Sequence, residues 1–307
     1  MNSAPSEWPA LPYGPWAETK KTVQLYSQLL GKTRLALAPP QPEWLCSNLE
    51  IGARGLSTGA MPWGTVSVEV SLDFVDHELR VDTSDGRSAR IPLKPAKSVA
   101  TIYRTLTDVY REFGIDVNLW DKPQELEDTT PLSADTAHAT YDTAAVERWW
   151  AVVSATRNVF EEWRSPFFGR TAIAFWWGAF DVAVMRFNGK HAAAPDDRGY
   201  IMRHDLDAEF MNAGFWPGDD NSPNPVFYAY LHPKPERCEL APINPDSATW
   251  IEQMGEWVLP YDAALASGDP RQAVLDFLDS VYAVAGSHGG WELETFTYAP
   301  PAPSKRI

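Results

Sequence analysis

Between residues 169 and 190 the chain reads Gly-Arg-Thr-Ala-Ile-Ala-Phe-Trp-Trp-Gly-Ala-Phe-Asp-Val-Ala-Val-Met-Arg-Phe-Asn-Gly-Lys. Phe175, Trp176, Trp177, Phe180 and Phe187 require burial, and Arg170, Asp181 and Arg186 must then find partners inside the protein. The pattern predicts two strands broken near Gly178. Consecutive Trp176 and Trp177 then point to opposite faces, so a single pocket can use only one of them.

The clearest strand signal is residues 66–74, where Val66, Val68, Val70, Leu72 and Phe74 alternate with polar residues. A two-residue turn at Asp76-His77 would set Leu72 opposite Val81 and Asp73 opposite Arg80. For the next hairpin, a two-residue loop at Asp85-Gly86 would put Val81 against Arg90 and ruin the alternation. A three-residue loop, Ser84-Asp85-Gly86, puts Val81 against Ala89 and Leu79 against Ile91, with Gly86 in the left-handed position. The second version is expected.

Helical periodicity predicts a first helix over 16–30 stopped by Gly31, and a second from Val99 to Phe113 capped by Ser98. A third is predicted from an Asp142 cap to Trp163, and a last one from an Asp269 cap and Pro270 to Gly286. Strands are expected at 34–38, 117–120, 226–231 and 291–296, and a turn over Gly214-Phe215-Trp216-Pro217-Gly218. Residues 121–141 are acidic, contain proline and lack periodicity, which marks a linker. The expected organisation is therefore an N-terminal unit over 1–120, a linker over 121–141 and a C-terminal unit over 142–307. The order helix, strands, helix recurs in both, and Gly31-Lys32-Thr33 echoes Gly169-Arg170-Thr171. The fold class is α+β: two similar helix–antiparallel sheet–helix units, related as a pseudo-symmetric duplication.

The chain has 307 residues and a net charge of −15, with no basic cluster, which argues against phosphate-neutralising nucleic-acid binding. Two distant cysteines, Cys46 and Cys238, can build neither a disulfide framework nor a thiolate zinc site. No leader pattern and no apolar run of membrane-spanning length is present, so a cytoplasmic protein is expected. Phosphate loops, dinucleotide fingerprints, nucleophile elbows and zinc-protease motifs are absent too.

The strongest functional expectation is a small-molecule-binding protein with an aromatic-lined pocket. Trp176, Trp177, Trp216 and Tyr228 would line it, with Arg170, Lys32 and Arg54 fixing the ligand. A second reading is a hydrolase or transferase in which Asp181 or Glu209 does acid–base work and Arg186 stabilises charge. A third is a protein-interaction module exposing an aromatic patch. Asp205, Asp207 and Glu209 alternate as strand ligands would, but a wet strand edge is the better explanation, because charge runs are usually solvated faces, and no metal site or cofactor is assigned.

At residues 8–13, 31–37 and 175–181, and at Gly214-Phe215-Trp216-Pro217-Gly218 followed by Phe227-Tyr228, the chain resembles an uncharacterised bacterial family known only as a domain of unknown function. The resemblance covers nearly the whole chain. It implies a bacterial source and brings no activity or catalytic residue. The resemblance implies that relatives often carry a His just before the position of Glu209; this chain has Ala208 there, which argues against a histidine-based site at that position.

Overall fold

The computed structural model describes residues 8–193 and 204–298. The chain divides into two compact units that alternate along the sequence. One comprises Met1–Ala155, Ala174–Val182 and Trp216–Pro225; the other comprises Thr156–Ile173, Ala183–Phe215 and Val226–Ile307. Residues 121–141 belong to the first unit.

The first unit is organised around helix α1 (Ala17–Leu37), which is buried at every position from Thr22 to Arg34. Because it is buried all round, its polar residues carry their own partners. Gln24 donates to the Gly178 carbonyl, Gln28 to that of Gln124, Lys32 to that of Lys122, and Arg34 to those of Cys46 and Thr58. Gly31 is therefore not a stop. It lies inside the helix, where a side chain would overlap the Trp177 indole. Residues 34–37 consequently continue the helix rather than starting the expected strand at 34–38, and the Gly-basic-Thr echo links positions that are not equivalent.

The first sheet holds β1 (Glu50–Ile51), β2 (Gly55–Ser57), β3 (Met61–Trp63), β4 (Val66–Asp73), β5 (Glu78–Thr83) and β6 (Ser88–Pro92), in the order β1-β2-β4-β5-β6 with β3 also on β4. Its buried face is Val68, Val70, Leu72, Leu79, Val81 and Ile91. The β5–β6 register is the expected one, Val81 opposite Ala89 and Leu79 opposite Ile91, with Gly86 at φ +94°. The β4–β5 register is shifted by two residues, to Leu72 opposite Leu79 and Asp73 opposite Glu78. A shift of two preserves the faces, so the alternation could not distinguish the registers. The longer turn wins because the Asp73 carboxylate accepts the N–H groups of Val75 and Asp76, and Phe74 is pulled into the core.

Helix α2 (Val99–Glu112) starts at the expected Ser98 cap, whose hydroxyl accepts the Thr101 N–H. Residues 117–120 form no strand, and Trp120 is 68% exposed. Helix α3 (Thr143–Arg164) begins where Asp142 accepts the N–H groups of Ala144 and Ala145. Its Trp149 stacks on Trp16 at 6.1 Å and on Phe180 at 4.8 Å, and meets Phe74 and Phe175 edge-on.

The second sheet holds β7 (Thr171–Trp176), β8 (Asp181–His191), β9 (Ala208–Trp216), β10 (Val226–His232), β11 (Thr249–Ile251) and β12 (Glu256–Pro260), in the order β11-β12-β10-β9-β8-β7. The break near Gly178 is as expected, but β9 runs through Gly214 to Trp216, so only its end is a turn, at Gly218 with φ +88°. Helix α4 (Tyr261–Ala266) precedes α5 (Pro270–Ser287), which is capped by Asp269 as expected. Leu293–Phe296 is a 3-10 turn, not a strand. Each six-stranded sheet follows one helix and is followed by another, an α+β arrangement consistent with duplication.

Candidate functional site

Within the first unit, α1 forms one wall of a cleft of about 330 Å³. Its other walls come from Tyr13, from residues 123–138 and from the turn at 219–221. Tyr13 donates to Asp220 (3.0 Å), and Lys21 bonds both Asp220 (2.8 Å) and Glu18 (2.9 Å), so this edge of the cleft is internally paired. Asp219 is used in its own turn, accepting the N–H groups of Asn221 and Ser222. Asp135 is buried and accepts the N–H groups of Ala137 and His138 and the His138 ring Nδ1 at 2.8 Å.

Lys20 and Glu125 in the cleft have no such partners among the described residues. Lys20 is only 4% exposed, yet among the described residues no carboxylate lies within ion-pair distance. Its ammonium donates to Gln24 Oε1 (2.8 Å) and lies 5.5 Å from the Phe180 ring centre. Burial pushes its pKa down to about 8, against the pull of Asp219 and Asp220. Glu125 is the second: it faces open solvent in the cleft but lies deep among protein atoms, which raises its carboxyl above the usual range. It adopts φ +56°, and its carboxylate rests over Gly178, where an added Cβ would come within 2.6 Å of Oε2.

The segment carrying Glu125 is clamped to α1. Gln28 donates to the Gln124 carbonyl (2.8 Å) and accepts the Gln124 N–H (2.9 Å), while Lys32 donates to the Lys122 carbonyl (2.7 Å). Lys20, Gln24, Gln28 and Lys32 recur every four residues, so they form one stripe along the helix. Gln24 links the two unpaired groups, since it accepts from Lys20 and donates to the Gly178 carbonyl beneath Glu125.

The residues expected from sequence are distributed otherwise. Lys32 and Trp177 do meet, with the ammonium 5.6 Å from the ring centre, but both are buried, and Trp177 Nε1 donates to the Ser47 carbonyl. Trp216 Nε1 donates to the Ala179 carbonyl, Arg54 pairs with Asp73 and Asp76, and Trp176 is half-buried. Arg170 lies over the Phe187 ring at 3.8 Å, and Tyr228 is buried on β10 opposite Val258. None of these lines the α1 cleft, whose lining contains no tryptophan.

Asp181 and Arg186 sit five residues apart on β8, so strand alternation directs them to opposite faces. Arg186, also 4% exposed, is enclosed by rings: Trp163 at 3.5 Å, Tyr282 at 4.4 Å and Phe167 at 5.1 Å. It donates to the Trp163 carbonyl, its Nε has no partner, and burial lowers its pKa to about 10. Glu209 accepts from Asn188 (2.5 Å) and borders a smaller cleft of about 210 Å³ with His232, Lys234 and His288. Among the described residues no three His, Cys, Asp or Glu side chains gather as a metal site.

Sequence reasoning missed Lys20, Glu125, Asp135 and His138. The four-residue recurrence from Lys20 to Lys32 was the available signal, because polar residues at that spacing on a helix flanked by apolar ones mark a second face. Glu125 had none, being one acidic residue in an acidic stretch.

The chain belongs to a family of unknown function, DUF5996, whose model matches residues 8–298. No curated protein and no solved structure matches it.

Proposed function

We propose that the protein binds a small polar molecule carrying an anionic group, in the cleft beside α1. The supporting observation is Lys20: a nearly buried ammonium on the wall of a cleft of ligand size, with one neutral acceptor for its three N–H donors. A buried charge without a carboxylate partner is costly, and a ligand anion that supplies the missing acceptors lowers that cost. Trp177 and Tyr228 are buried, Trp176 and Trp216 are half-buried, and none of the four lines this cleft, so recognition there rests on charge and hydrogen bonding.

The test is calorimetric titration of the protein and its Lys20→Met variant with small carboxylates and phosphates. Binding is expected to disappear in the variant, and in the wild type to weaken as pH rises through about 8, where Lys20 loses its proton. Equal binding by the two proteins would overturn the reading.

A second reading, hydrolysis, draws on the Asp135–His138 pair. A buried carboxylate holding one ring nitrogen of a histidine at the cleft wall is the orienter–base arrangement of general-base catalysts. If it holds, His138→Gln abolishes turnover of an ester or phosphoester substrate and leaves binding intact.

A further inference from the structure

The α1 cleft is acidic: Glu125, Glu127, Asp128, Asp135, Asp219 and Asp220 line it against Lys20, Lys21 and His138. Most of that charge is already committed. Asp135 is held by His138, Asp219 by its turn, Asp220 by Tyr13 and Lys21, and Asp128 accepts the Thr130 N–H. What remains without such a partner among the described residues is one cation, Lys20, and two carboxylates, Glu125 and Glu127, of which Glu125 is the one packed against Gly178. Gln24 bonds both Lys20 and the Gly178 carbonyl, Glu125 lies against Gly178, and Lys20 and Glu125 do not pair with each other.

A ligand that answers only Lys20 would leave Glu125 facing an anion in an acidic cleft. A dianion such as phosphate would meet the surrounding carboxylates as repulsion, and a simple cation would meet Lys20 the same way. Resting on the binding function proposed above, we infer that the ligand is a small zwitterion of the amino-acid class. Its carboxylate lies on Lys20 and its ammonium on Glu125. Gly178 supports this arrangement, because its missing side chain is what lets the Glu125 carboxylate lie there. The double Gln28–Gln124 bond supports it too, by fixing the backbone next to Glu125 before any ligand arrives.

The experiment titrates the full chain with the twenty amino acids. Any that binds is compared with its N-acetyl derivative, which lacks the ammonium, and its decarboxylated amine, which lacks the carboxylate. Both derivatives are expected to bind at least about tenfold more weakly than the parent. Glu125→Gln lies on an exposed residue and is expected to keep the wild-type melting temperature. It should lose about tenfold in affinity for the amino acid while retaining affinity for simple carboxylates. The inference is overturned if the N-acetyl derivative binds as well as the parent, or if Glu125→Gln keeps full affinity. It is also overturned if simple carboxylates bind and no amino acid does, an outcome that leaves the proposed function standing. If no carboxylate, phosphate or amino acid binds, the proposed function fails and the inference with it.

Discussion

Lys20 and Arg186 are buried to the same degree, and among the described residues neither has a carboxylate in ion-pair contact, yet their surroundings are opposite. Arg186 is enclosed by three aromatic faces and a backbone carbonyl, so its flat guanidinium is stabilised by stacking that an ammonium could not reproduce. Lys20 is a point charge with one neutral acceptor at the wall of a cleft. The comparison separates a cation that the fold uses from a cation that the fold only tolerates. A structural cation is enclosed on all sides, whereas a functional one keeps an open side and is destabilising until something occupies it.

The largest effect that could break this contrast is Arg186→Ala, expected to destabilise the protein by about 3–4 kcal/mol through the cavity and the abandoned Trp163 carbonyl. Urea unfolding measures it, and a loss below about 1 kcal/mol would mean that the cage is not structural. Arg186→Lys should still lose about 2 kcal/mol, because the ammonium cannot lie flat between rings. Lys20→Met should move the other way, stabilising the protein by about 1–2 kcal/mol at pH 7, since it removes a desolvated charge that no carboxylate neutralises.

The pH dependence sharpens the same point. Lys20 has a folded pKa of about 8 against an ordinary 10.5, so between those values the unfolded chain holds more protons. Stability therefore rises with pH across that window, and Lys32, also lowered to about 8, contributes likewise. Thermal melts from pH 7.5 to 10.5 should show the rise in the wild type and a smaller one in Lys20→Met. The smallest expected effect is Tyr282→Phe: the hydroxyl is buried without a hydrogen bond, so removing it should leave stability within about 1 kcal/mol, on the stabilising side.

What could be read in advance depended on how local the cause was. The Ser98, Asp142 and Asp269 caps and the Gly86 hairpin are decided within a few residues by turn chemistry and alternation, and they stand as expected. The β4–β5 register was not legible, because registers two residues apart bury the same face. Residues 249–266 gave no signal, yet they form β11, β12 and α4, which are short and held by neighbours. The candidate site was the least legible part. Its key carboxylate is positioned by a bare glycine more than fifty residues away in sequence and by a helix about a hundred residues away.

By itself, then, the sequence determined the α+β class, most helix starts, the paired strands around Gly178 and the demand that Arg186 be satisfied inside. Those follow from periodicity, capping and the desolvation of charge, which act over short stretches of chain. Only the tertiary structure decided that Gly31-Lys32-Thr33-Arg34 is helix interior, because burial all round α1 supplied partners for residues that otherwise read as a helix end. It alone decided that Trp16, Trp149, Trp163 and Trp177 are buried while Trp120 is exposed, and that Lys20 and Glu125 are left to face one cleft. The physical reason is that partner assignment for a buried polar group depends on which distant backbone carbonyls and carboxylates arrive beside it, and no local pattern encodes that.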